Sequence, residues 1–381
     1  MTAPRLLMVK GAYDRAGGPE TVLQTVIQNL DRTRYRPHLA LVARPGQVLP
    51  PVLDALTHEA DSSRIAWTGL AGAPASARTL SALLHAQPGA VLHTNDMRSD
   101  LLGYMATRFH RRPWIAHVHG WLGETHAGRH KLYERVDRWL IRGADLVLVG
   151  SSAMANEVRQ AGARWTEIVW NGVPAASDPA AFDEAAAALR RSLVPPGSVV
   201  AGVLGRLHPG KGQNLLIEAA ASLRAHGRPI EVLLVGEGPA EAEYRAQAAS
   251  LGIAAHVHFA GLVADIRPYL RVMDMVCVPS LKDSLPLTAL EAMAVARPVI
   301  ASRAGDLPCA IDDGVTGLLV PVGSAPALVD AIRTLADDPA RRAQMGQAGR
   351  GALIARYTPA AMLRQLEGYC DALLAQKAGH A

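Results

Sequence analysis

The run Val199-Val200-Ala201-Gly202-Val203-Leu204 passes directly into Gly205-Arg206-Leu207-His208-Pro209-Gly210-Lys211-Gly212-Gln213, and a helical stretch follows. An apolar run with no polar alternation reads as a strand covered on both faces, the habit of a parallel sheet. A glycine-rich loop at the end of such a strand, opening a helix, lets backbone approach an anion closely. The loop nearly matches a P-loop: Gly205, four intervening residues, then Gly210 and Lys211. Gly212 stands where magnesium-dependent nucleotide hydrolysis needs a serine or threonine hydroxyl. What remains is a diphosphate clamp, in which Arg206 offers a planar fork and Lys211 a point charge. The plainer alternative is a solvated basic turn.

The same rhythm runs along the whole chain. Apolar runs lie at 6–10, 38–43, 90–93, 114–119, 146–150 and 168–170, and again at 199–204, 231–235, 257–259, 275–279, 299–302 and 318–321, with helical stretches between them. Two sets of six predict an α/β protein of two doubly wound parallel-sheet domains. The 381 residues exceed one core and suit two domains. The seam lies in 171–196, from Asn171-Gly172-Val173 to Pro195-Pro196. The expected parts are a first domain over 1–172, a linker over 173–196, a second domain over 197–356 and a closing helix over 357–381.

Composition removes several classes. Apolar types make up 49% and charged types 19%, so the chain can bury cores and is not disordered. Cys277, Cys309 and Cys370 are too few and too scattered for a disulfide framework or a zinc finger, which fits a reducing cytosol. No apolar run reaches the roughly 18 residues of a membrane span, and no secretory signal layout is present. The expected location is cytoplasmic.

Ligands of open α/β sheets sit at strand carboxyl ends, so other clusters there carry weight. Asp283-Ser284-Leu285-Pro286-Leu287-Thr288-Ala289-Leu290-Glu291 follows Val278-Pro279-Ser280. Pro286 suits the first turn of a helix reaching Ala296, whose amides can face an anion. Asp283 and Glu291 can then reach hydroxyls on either side. An N-cap and a solvated acid are the ordinary alternative. Gly236-Glu237-Gly238-Pro239 is a weak dinucleotide signal, lacking a third glycine. Gly17-Gly18 follows the first strand and precedes a helix. His117 and His119 share one strand face without a third metal ligand, so a core or substrate-facing role is favoured. No Asp-x-Asp clip occurs.

Taken together, these pieces resemble the retaining GT-B glycosyltransferases of family 4 (glycosyl transferases group 1) over nearly the whole chain. They stand in order: Gly17-Gly18, His119, Asn171-Gly172-Val173, GRLHPGKGQ from Gly205, GEGP from Gly236, VPS and DSLPLTALEAMA from Val278 to Ala294, PVIAS from Pro298 and GVTGLLV from Gly314. The resemblance implies a GT-B fold, with two Rossmann-like domains facing a central cleft and a C-terminal helix crossing back to the first. It implies hexosyl transfer from a nucleotide-diphosphate sugar, most commonly a UDP-sugar, with retention, no cofactor and no metal. Gly205, Arg206 and Lys211 would hold the diphosphate with the amides of Leu287 and Thr288. Glu291 would bind ribose and Asp283 the donor sugar. Gly18 and His119 would face the reacting sugar, and Gly17, Asn95 and His119 the acceptor. Asp283 stands where glutamate is usual, Pro286 where glycine is usual, and Asp306 replaces the second glycine of a Gly-Gly loop.

The acceptor is read from charge. Of 39 basic residues only five are lysines. The basic excess is four through Arg190 and one beyond it, and from Arg98 to Arg142 nine bases face four acids. That stretch includes an amphipathic run with Leu132, Val136 and Trp139 on one side. It suits an anionic membrane surface and a glycan or lipid-linked acceptor of cell-envelope polysaccharide synthesis. A solvated helix with those three packed inward is the alternative. Nucleic acid is not expected. The competing function is a sugar-nucleotide epimerase or a nucleotide-sugar binding protein on the same fold.

Overall fold

The computed structural model describes residues 3–13, 18–87, 89–108, 112–121, 129–170, 172–175, 177–282 and 285–378. The chain divides into two compact units, residues 1–172 with 359–381, and residues 173–358.

The first unit carries seven parallel strands: β1 (Arg5–Gly11), β2 (Arg36–Ala43), β3 (Asp61–Ala66), β4 (Val91–Thr94), β5 (Trp114–Val118), β6 (Leu146–Val149) and β7 (Thr166–Ile168), in the order β3-β2-β1-β4-β5-β6-β7. Strand alternation splits the apolar run of β1 between two cores. Leu6 and Met8 pack with Val22, Val26 and Ile27 of the helix Gly18–Asn29. Leu7 and Val9 pack with Ala77, Leu80 and Leu84 of the helix Ala73–His85. All four β1 residues are fully buried, and each such side chain contributes about 2 kcal/mol. The helix Pro359–Ala378 belongs to this unit. Its Met362, Leu366 and Leu373 join the core of Val26 and Ile27, and Glu367 accepts from Arg34 at 2.5 Å.

The sequence pointed to six strands here. The seventh, β3, escapes an apolar-run reading because it pairs only with β2 and buries only Ile65. Edge strands facing water need no continuous apolar run. The last strand sits at Thr166–Ile168, ahead of the expected 168–170.

The second unit has six parallel strands: β8 (Val199–Leu204), β9 (Ile230–Val235), β10 (Val257–Gly261), β11 (Met275–Val278), β12 (Val299–Ser302) and β13 (Gly317–Val320), in the order β10-β9-β8-β11-β12-β13. Ala201 and Val203 of β8 pack with Leu216, Ile217 and Leu223 of the helix Gln213–Ala225. Within 173–196, the helix Asp183–Leu193 sends Arg190 to the Val272 carbonyl at 2.6 Å and to Asp274 at 3.0 Å.

In each sheet the winding reverses once, between β1 and β4 and between β8 and β11. At such a switch point the following loops part and leave a crevice at the strand carboxyl ends. No helix among the described residues is long and apolar enough to cross a membrane.

Candidate functional site

At the second unit's switch point, the loop after β8 is sewn to its neighbours through backbone. Gly205 has φ 133° and donates to the Val235 carbonyl at 2.9 Å. The Leu207 amide donates to Glu237 O at 3.0 Å. A Cβ at Gly236 would lie 2.2 Å from Gly205 O, and one at Gly238 2.1 Å from Leu207 O. Gly236 and Gly238 are therefore required by loop packing, which explains why they lack the rest of a dinucleotide signal. Gln213, fully buried, donates to Arg206 O at 2.9 Å and fixes that backbone while the Arg206 side chain stays exposed.

Lys211 ends a single 3-10 turn, Pro209–Lys211, capped where His208 Nδ1 accepts from the Gly210 amide at 3.1 Å. Gly212 follows at φ 72°, and a Cβ there would stand 2.1 Å from Pro279 O. The Leu281 amide donates to Gly210 O at 2.9 Å, and Thr288 Oγ1 to Leu204 O at 3.2 Å. The basic loop and the segment leading to the helix Leu287–Ala294 thus form one layer over β8 and β11. Pro286 is the cap of that helix rather than part of its first turn, and it adds no side-chain capping bond. The helix stops before Ala296, which takes φ 56°. Glu291 is half-buried, and burial raises its pKa. It lines a cavity of about 440 Å³ with Asp265, Arg267 and Leu270. Asp306 is 2% exposed at the start of the short helix Leu307–Ala310. Asp283 and Ser284 lie outside the described residues, as do Gly17 and Asn171.

The first unit's switch point holds a different site, a cavity of about 490 Å³ at the ends of β1, β4 and β5. Lys10 is the penultimate residue of β1 and is 2% exposed. Its Nζ donates to Glu20 at 3.0 Å, to Asp96 at 3.2 Å and to the Gly11 carbonyl at 3.3 Å. Asp96 caps the helix Met97–Thr107, accepting from the Ser99 amide at 3.0 Å and from the Gly11 amide at 2.7 Å. Burial alone would raise its pKa, but Lys10 and these amides outweigh it and hold Asp96 below the usual carboxylate range. Asn95 is 2% exposed; its Nδ2 faces the Val9 and His93 carbonyls at 3.4 and 3.3 Å, while its Oδ1 has no partner.

His117 and His119 stack with centroids 4.1 Å apart, and His93 lies 5.5 Å from His117. Burial pushes His93 down to about 3 and His117 to about 4, and drives His119 well below its ordinary value. All three rings are neutral at neutral pH. In the same cavity, burial and then repulsion from Asp137 raise Asp100, and burial raises Asp137, so the pair holds a proton above the ordinary carboxyl range. Trp121 Nε1 donates to Asp137 at 2.7 Å.

Asn95 and His119 were singled out in the sequence, and both line this cavity; Gly18 begins the adjacent helix. Lys10, Asp96, Asp100 and Asp137 were missed. A lysine closing the apolar run Leu6–Val9 and an aspartate three residues before Ser99 were the available signals. Arg98 lies over the rings of Tyr13 and Trp67, Arg108 over Tyr104 and Arg138 over Trp121, while Arg142 donates to the Ala161 carbonyl at 2.5 Å. Three of the four acids of the same stretch, Asp100, Glu134 and Asp137, line the cavity.

A profile described as Glycosyltransferase Family 4 matches residues 16–177, and one described as Glycosyl transferases group 1 matches residues 187–352. A D-inositol 3-phosphate glycosyltransferase of Corynebacterium glutamicum (strain R) is 40% identical over 178 residues, 43% of this chain and 42% of that protein. The chain therefore aligns with less than half the length of that relative. An alpha-D-kanosaminyltransferase of Streptomyces kanamyceticus is 28% identical over 280 residues, 70% of this chain and 72% of that protein. Among solved structures, Anabaena HepE in complex with UDP superposes with a TM-score of 0.75 at 24% identity, covering 96% of this chain and all of that one. HepE in complex with UDP-glucose gives 0.68 at 24% identity, covering 97% and 99%. The structural likeness shows a shared fold, and the two profiles fall on the two sheets whose switch points carry the sites. The chain belongs to the family 4 glycosyltransferases (glycosyl transferases group 1) and has the GT-B fold.

Proposed function

We propose that this chain is a retaining hexosyltransferase that takes its sugar from a UDP-sugar without a metal and passes it to a hydroxylated acceptor bound by the first unit. The observation that carries this reading is the layer formed by the 205–213 loop and the loop after β11, bonded through Leu281 N to Gly210 O at 2.9 Å. It gathers Arg206, Lys211 and the start of the helix Leu287–Ala294 at one switch point, as a diphosphate requires. The binding of UDP and UDP-glucose by HepE, on the same fold, supports uridine diphosphate.

In this reading Arg206 and Lys211 offset the charge growing on the departing diphosphate, with the amides of Leu287 and Thr288 beside them. Glu291 holds the ribose hydroxyls, and Asp283 those of the donor sugar. The acceptor hydroxyl bonds to the anomeric carbon on the face the diphosphate leaves, and the leaving oxygen takes its proton. Positioning and charge stabilisation supply the rate. His119, Asn95 and Gly17 belong to the acceptor side. An acceptor of cell-envelope glycan synthesis, met at an anionic membrane, fits the helix Arg129–Leu140, on which Leu132 is 60%, Val136 38% and Trp139 51% exposed.

Thermal unfolding with a panel of nucleoside diphosphates tests the donor half directly. UDP is expected to raise the melting temperature, because a ligand of the folded state alone stabilises it. A melting temperature unmoved by UDP, with another diphosphate raising it, overturns the uridine assignment. No response to any of them overturns the transferase reading.

A further inference from the structure

The polar lining of the first unit's cavity is one-sided. Five carboxylates (Glu20, Asp96, Asp100, Glu134 and Asp137) face one lysine among the described residues that line it. Three of the donors present are turned onto those carboxylates. Lys10 is divided between Glu20, Asp96 and the Gly11 carbonyl, Tyr13 Oη donates to Asp96 at 3.2 Å, and Trp121 Nε1 donates to Asp137. Asn95 is 2% exposed and keeps an Oδ1 with no hydrogen-bond partner, as do His117 Nδ1 and His119 Nε2 among the ring nitrogens, while Asp100 and Asp137, 2% and 6% exposed, face each other.

The Asn95 orientation is set by its own contacts, because its Nδ2 already faces two carbonyls, so the unpaired atom is an acceptor. A buried acceptor left unpaired is costly, and a ligand that supplies a donor removes that cost. A hydroxyl brings one donor and needs donors in return. An ammonium group brings three donors, accepts nothing and carries the charge the lining lacks. Tyr13, Trp121 and Tyr133 line the same cavity, and two of these rings already carry cations, Lys10 and Arg98 on Tyr13 and Arg138 on Trp121.

We infer that this cavity is an ammonium pocket, and that the acceptor is an amine-bearing polyol, an aminosugar or aminocyclitol. The inference rests on the transferase reading only in calling the ligand an acceptor; the pocket's preference stands or falls separately.

Calorimetric titration of the full-length protein with methyl glucosaminide, methyl N-acetylglucosaminide and methyl glucoside at neutral pH tests it, with UDP titrated in parallel. The free amine is expected to bind at least about tenfold more tightly than either neutral glycoside, the ratio given by one charge-assisted hydrogen bond of about 1.4 kcal/mol. In Asp137→Asn, or in Glu134→Gln should the first fail to fold, that ratio drops at least about threefold, with methyl glucoside affinity held within about twofold. Equal affinity for amine and neutral glycosides, including no binding of either, overturns the proposal. So does a ratio unchanged in both variants. Amine preference with no UDP binding upholds the pocket and sinks the donor reading instead.

Discussion

The two switch points of this molecule are built on the same winding and do opposite electrostatic work. In the second unit, backbone close contacts at Gly212, Gly236 and Gly238 hold a loop that displays Arg206 at the surface. In the first, side chains do the holding. Lys10 is 2% exposed and tied to two carboxylates, and the cavity beside it is rich in acids. A parallel sheet supplies a crevice and nothing more; the residues at its strand ends decide which charge the crevice welcomes. The basic loop suits a diphosphate, and the acidic cavity suits a donor-rich, positively charged group.

The contrast can be broken most sharply at the basic loop. Arg206→Ala and Lys211→Ala are each expected to lower turnover of UDP-sugar by about 100-fold or more, the scale of losing one charge-stabilising donor; wild-type rates of nucleotide release would remove the clamp. Next in size is Asp96→Ala. It deletes a helix cap and one partner of a buried lysine, for an expected loss of about 3 kcal/mol in denaturant unfolding. A loss below about 1 kcal/mol would mean that Glu20 alone satisfies Lys10.

Gly212→Ala probes the backbone side of the comparison. Its φ of 72° and the Pro279 carbonyl 2.1 Å from an added Cβ leave no room, and about 2 kcal/mol of stability should go, with weaker UDP binding. Unchanged stability would show that the two loops part easily.

Asp100→Asn is smaller and depends on pH. Burial and Asp137 raise the folded-state pKa of Asp100 above its unfolded value. The folded protein therefore binds the extra proton, and stability falls as pH rises from the ordinary carboxyl range through the raised folded value. Asparagine should flatten that fall and leave the variant about 1 kcal/mol more stable at neutral pH; parallel stability-against-pH curves for the two proteins would refute the shared proton. Smallest in stability is Trp139→Ser, expected to shift unfolding by under about 0.5 kcal/mol because the ring is already half exposed. Flotation with anionic vesicles should nevertheless weaken. Equal flotation of wild type and variant would take the membrane surface away from this helix.

How far each region could be read in advance follows from the same difference. Gly205, Arg206 and Lys211 lie within one short stretch, so sequence order alone placed them on one loop. The acidic cavity draws on Lys10, Asp96, Asp100 and Asp137, which are dispersed over more than a hundred residues. Each has an unremarkable local reading as a strand end, a cap or a solvated helix acid. Only the pairing of β1 with β4 and of β4 with β5 brings them together. Strand β3 was lost for a simpler reason: its exposed residues carry no apolar signal.

The sequence by itself determined the parallel-sheet class, the two-unit plan and the basic loop, because apolar runs, glycines and adjacent cations act over a few residues. The tertiary structure decided the charge of the first unit's pocket, the protonation of Asp100 and Asp137, and the reason for Gly236 and Gly238. Those properties depend on burial and on partners from distant strands, and burial is what turns an ordinary aspartate into one that keeps its proton.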